Sequence, residues 1–102
     1  MGKRVKSVSM PGLAAKLDEQ GDINRGRRYI WHVRRIVDYV RSGVSNRVEI
    51  IATRDAWNPA GWEGVVAKGS LNDDGLLDGY TIENGVPYPI GRALDKAWES
   101  LQ

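Results

Sequence analysis

The stretch Asn24-Arg-Gly-Arg-Arg-Tyr-Ile-Trp-His-Val-Arg-Arg-Ile-Val-Asp-Tyr-Val-Arg-Ser42 governs how the rest of the chain is put together. Within it Ile30, Val33, Val37 and Val40 recur at spacings of three, four and three, with Tyr29 and Ile36 beside them. Apolar residues at that spacing share one face of a helix of about 3.6 residues per turn, and Gly43 suits its C-terminal stop. The spacing predicts a long amphipathic helix from about Asn24 to Ser42. On a wheel of about 100° per residue, Arg27, Arg28, Trp31, Arg34 and Arg35 fall opposite the apolar stripe. Trp31 then lies within one turn of all four arginines, an indole expected amid guanidinium groups on a face that points away from the core.

On the N-terminal side, Ser9-Met10-Pro11 opens a short first helix with Leu13, Ala14 and Leu17 on its apolar face and Gly21 at its end. Before it, Lys3 to Met10 alternates weakly and reads as an edge strand or a basic arm, so residues 1–10 are the one stretch expected to stand apart from a single domain over 1–102. After the long helix, Arg47 to Arg54 and Trp62 to Gly69 are rich in β-branched residues and are expected to pair, joined by the Asp55 to Gly61 loop. A polar loop around Asn72 to Gly75 leads to a third strand, Tyr80 to Glu83, then to the Asn84-Gly85 turn signal and a short extended return over Val86 to Pro89, with Pro89 suited to the first turn of the helix that follows. Ile90, Leu94, Ala97 and Leu101 make the stripe of a final helix, with Ala93 and Trp98 beside it. The expected fold is a small α+β two-layer sandwich in the order α, long α, β, β, β, α. Its antiparallel three-stranded sheet is packed by the long and C-terminal helices.

Composition narrows the function classes. The 102 residues contain no cysteine and one histidine, His32. Disulfides, zinc fingers and a cysteine nucleophile are excluded, and no metal or other cofactor is expected. No run approaches the roughly 18 apolar residues of a membrane span, and the start Met-Gly-Lys-Arg-Val-Lys lacks a signal-peptide core, so a cytoplasmic location without membrane contact is expected. The 15 Lys and Arg nearly balance the 13 Asp and Glu, but not evenly along the chain. Residues 1–47 hold eleven cations against four acids, a net of +7, and residues 48–102 hold four against nine, a net of −5.

The basic half suggests a nucleic-acid surface built from Arg27, Arg28, Trp31, Arg34 and Arg35, extended by Arg41. Arginines there would neutralise phosphates while the indole stacks on an unpaired base. A helix-turn-helix form of that surface is disfavoured by the length of the second helix and by Trp31 at the middle of its outward face. The same residues also suit a protein partner or a homodimer, with polarised charge steering docking and Trp31 as a hot spot, as in a small inhibitor of the kind phages encode. A solvated arginine face is the bland alternative. Trp57 and Trp62 bracket a turn and form either an aromatic lip for a partner or a hairpin-end cluster with Trp62 turned to the core. Ser70, Asn72 and Asp74 fit the first ligand positions of a calcium loop, but Thr81 stands where a bidentate Glu is required, so a solvated acidic turn is expected. His32 has no serine or carboxylate at a triad spacing and the glycines form no phosphate cradle, so no enzyme activity is expected. The order of a helix, three strands and a helix is shared by unrelated small domains, double-stranded RNA binders among them, and assigns no residue a role. A regulatory binding module remains, with nucleic acid or protein as partner.

Overall fold

The computed structural model describes residues 5–20, 28–38, 43–54 and 61–102. Its elements run α1 (Met10–Asp18), β1 (Tyr29–Asp38), β2 (Gly43–Arg54), β3 (Gly64–Leu71), β4 (Leu77–Ile82) and α2 (Tyr88–Ser100). The α+β class stands, but the element order differs. The sheet has four antiparallel strands in the order β1-β2-β3-β4, and the long helix expected over 24–42 is, in its described part, strand β1.

Two periods compete in that segment. Ile30, Val33 and Val37 fit helical spacing, whereas Tyr29, Trp31 and Val33 fit the alternation of a strand. Tyr29, Ile30, Trp31, Val33, Ile36 and Val37 are all β-branched or aromatic, types that lose side-chain freedom against a helical turn and fit a pleated surface. The partner strand decides the outcome, because β2 offers the same alternation in Val48, Ile50 and Ala52. The register sets Trp31 opposite Ala52, Val33 opposite Ile50 and Arg35 opposite Val48. Trp31, Tyr29 and the three β2 residues are buried together.

The other strands follow the sequence more closely, with shifted bounds. Between β2 and β3 the register moves from Ile50 opposite Ala67 to Ile51 opposite Val65, which leaves Val66 as an extra residue. This bulge lets the successive side chains Val66 and Ala67 both be buried. Farther along, β3 and β4 approach so closely that a Cβ at Gly69 would run into the carbonyl oxygen of Gly79 and come within 2.8 Å of Leu77 Cδ1. The turn between these strands is organised by Asn72, whose Oδ1 accepts from the amides of Asp74 and Leu76 at 2.9 and 3.0 Å. That oxygen, second in the calcium alignment, is therefore occupied by backbone.

Both helices lie on one face. Ser9 caps α1 by accepting from the Gly12 amide at 3.0 Å, Pro11 sits in the first turn, and Leu13 and Leu17 point into the core. Asn84-Gly85 does not make a hairpin. Gly85 takes a φ of 84° and the chain turns toward α2, whose first turn holds Pro89 as expected and also takes in Tyr88, expected in the extended return. Helix α2 buries Ile90, Gly91, Ala93, Leu94 and Ala97. The expected N-terminal strand is reduced, within the described residues, to a single bridge in which Val8 and Leu77 exchange backbone hydrogen bonds of 3.0 and 2.7 Å.

Candidate functional site

The expected arginine and tryptophan face is dispersed by the strand. On β1 successive side chains point to opposite sides of the sheet, so Arg34 and Arg35, neighbours on a helix wheel, part company. Trp31 turns inward and is 6 % exposed, which removes the indole expected for base stacking or for a hot spot. Arg28 is exposed just ahead of β1. Trp62 is half-buried against the core, and its ring lies 3.3 Å from where a Cβ on Gly64 would stand, so it packs onto its own chain. Arg27, Arg41 and Trp57 lie outside the described residues.

The sheet face opposite the helices gathers a different set of residues. By register and alternation it carries Ile30, His32 and Arg34 from β1, with Arg47, Glu49, Ile51 and Thr53 from β2. Val65 and Lys68 follow on β3, and Thr81 on β4. One row crosses all four strands as Arg34, Glu49, Lys68 and Thr81, each directly opposite the next. Arg34 Nη2 lies 3.2 Å from Glu49 Oε1, and Lys68 Nζ lies 3.2 Å from Glu83 Oε1. A second row, His32, Ile51 and Val65, is mostly apolar, with Ile30 opposite Thr53 beside it. Ile30 is 51 % exposed. A depression of ≈ 540 Å³ runs along this end of the sheet, lined by Trp31, His32, Val33, Arg34, Ile51 and Thr53.

Arg54 pairs Glu63 at 2.9 Å and Lys16 pairs Glu19 at 3.2 Å. Among the described residues only the Arg34–Glu49 pair joins the basic half of the sequence to the acidic half. Arg28, Arg35 and Arg47 have no carboxylate within ion-pair distance among the described residues. Thr53 Oγ1 donates to the Ile30 carbonyl at 3.2 Å and stands 3.5 Å from His32 Nε2. With its proton directed to a backbone oxygen, that hydroxyl is not set up as a nucleophile for the imidazole. No group of three or more His, Asp or Glu able to hold a metal ion occurs among the described residues, and no described helix is long and apolar enough to cross a membrane.

No protein-family model, curated protein or solved structure matches this chain. A helical reading of the segment over 24–42 turns Ile30 to the core and gives His32, Ile51, Thr53 and Val65 no place in a site. The signal that finds them is the period-two pattern, once the segment from Tyr29 is taken as a strand.

Proposed function

We propose that this chain is a non-enzymatic binding module whose partner is a protein, seated on the helix-free face of the sheet at its β1 and β2 end. The observation that carries this reading is the exposed Ile30, standing beside Ile51, Val65 and the depression along His32 and Arg34. An apolar patch rimmed by polar groups has the make-up of a protein contact surface. Phosphate is a weaker fit to the patch around Ile30, because the cations in the row beside it, Arg34 and Lys68, already have carboxylate partners, and Arg47, which has none among the described residues, stands farther along β2, opposite Ser70. Trp31, the expected stacking group, is in the core.

Nucleic acid remains a second reading, favoured by Arg28, Arg35 and Arg47, which lack a carboxylate partner among the described residues. Contact through them would weaken steeply with salt and be lost on exchanging Arg28 and Arg35 for Glu.

A photo-crosslinking amino acid placed at position 30, and separately at position 73 in the exposed β3–β4 turn, separates the two in the native host. A discrete adduct at 30 but not at 73, sensitive to protease and resistant to nuclease, is expected. A nuclease-sensitive adduct would establish the second reading, and no adduct at 30 would remove the first.

A further inference from the structure

We propose that the outer edge of β1 takes an extended, acidic segment of the partner protein as a fifth strand of the sheet. The proposal rests on the protein-partner reading and names its mode and chemistry.

The two edges of the sheet are not equivalent. Outside β4 the N-terminal segment is already hydrogen-bonded, Val8 to Leu77 in both directions, and β4 is six residues long. The ten-residue β1 pairs with β2 alone, and among the described residues no other backbone hydrogen bond reaches it. It contains no proline; its blunting features, the charged Arg34 and Arg35 and the irregularity after Arg35, sit toward its C-terminal end, so an added strand is confined to the run before it and must answer those charges. Of the four large apolar side chains left exposed among the described residues, Ile30 and Val37 are both on this strand. The register irregularity between Arg35 and Val37 leaves Tyr29 to Arg35 as the regular run, the length of a short peptide strand.

Charge selects the occupant. Arg28, Arg34 and Arg35 lie on or beside this edge, and Arg28 and Arg35 have no carboxylate among the described residues. A second copy of the chain is a poor guest. The run Tyr29 to Arg35 holds no acid, so antiparallel pairing of two copies centred on His32, Val33 or Arg34 sets Arg34 against Ile30, His32 or the other Arg34, and never against a carboxylate. Like charges directly opposite destabilise a ladder, and opposite charges support it. An antiparallel guest strand with acids opposite Arg35 and Arg34 and an apolar residue opposite Ile30 satisfies all three positions. Its first acid meets Arg35 on one side of the sheet, its second joins Arg34 on the other, and its apolar residue covers Ile30.

The test uses the full chain and labelled, end-blocked peptides read by fluorescence anisotropy. Glu-Glu-Val-Thr-Val-Ile-Thr is expected to bind about tenfold more tightly than Lys-Lys-Val-Thr-Val-Ile-Thr, and the preference to shrink with salt. Arg35→Glu, checked for folding by circular dichroism, is expected to cancel or invert it. N-methylation of one alternating set of peptide amides should abolish binding and of the other set should not, since only one set faces β1. Strand addition is overturned if both charge forms bind alike, if both methylated sets bind, if neither peptide binds up to about 1 mM, or if a single-stranded oligonucleotide binds where the acidic peptide does not. A protein adduct at position 30 obtained alongside any of these failures would leave the protein-partner reading standing.

Discussion

Trp31 and Ala52 stand opposite each other across β1 and β2, the largest side chain of one strand facing one of the smallest of the other. Ala52 leaves room on the core face for the indole, which packs in one cluster with Leu13 and Leu17 of α1. Trp31 is thus a structural residue of the sheet, and its removal opens a cavity where three elements meet.

Trp31→Ala is expected to lower the unfolding free energy by about 3–5 kcal/mol, the range for deleting a buried aromatic side chain. Ile30→Thr, one residue away on the exposed face, should stay within about 0.5 kcal/mol. Urea titration of both variants checks the contrast. Equal effects would mean that the two side chains are not on opposite faces.

The close approach of β3 and β4 makes position 69 intolerant of a side chain. Gly69→Ala places a methyl against the Gly79 carbonyl, a backbone group that cannot swing aside, and is expected to cost about 1–3 kcal/mol. Gly79 faces open space, so Gly79→Ala should be neutral or slightly stabilising, by up to about 1 kcal/mol through the unfolded chain. Thermal melts of the two variants report the difference.

The Arg34–Glu49 pair joins the two charge halves across β1 and β2, but Arg34 is 64 % exposed. A double-mutant cycle with Arg34→Ala and Glu49→Ala is expected to give a coupling of about 0.2–1 kcal/mol. The coupling should fall as salt rises. A value that is large and independent of salt would contradict the exposed geometry.

Tyr80 provides a pH signature. Its hydroxyl donates to Asp95 Oδ1 at 2.6 Å and its ring stands edge-on to Trp98, with centroids 5.3 Å apart. Burial, then the hydrogen bond to Asp95 and the charges of Asp95 and Glu99, hold the phenol well above its ordinary pKa of 10.0. A raised pKa in the folded state means that the contribution is fully present below the unfolded value and is lost as pH rises beyond it. The wild type should therefore lose stability above about pH 10 more steeply than Tyr80→Phe, with denaturant midpoints at several pH values as the measure. Parallel curves for the two proteins would remove the assignment.

The helices were legible because their signals are local. Ser9 and Pro11 mark the start of α1, and the stripe from Ile90 to Ala97 marks the buried face of α2. The alternation of Val48, Ile50 and Ala52 likewise announced a strand. Asn84-Gly85 announces a turn and suggests a hairpin, but a turn does not dictate whether a strand or a helix comes after it, and here α2 follows. The error with the largest consequence was at Tyr29 to Asp38, where the apolar positions satisfy both a helical and a strand period over ten residues.

Residue order alone was enough for the α+β class, both helices, the paired core strands and the opposed charges of the two halves. All of these come from composition, end signals or periodicity within one segment. Three things needed the assembled sheet: that the segment from Tyr29 is a strand, that Trp31 is core, and that Arg34 and Arg35 face apart. Those facts depend on pairing with β2, whose Ala52 and Ile50 come opposite Trp31 and Val33 only once the two strands are side by side. A side chain's face in a sheet is set by the register with its neighbour, and register is a property of two strands rather than of one.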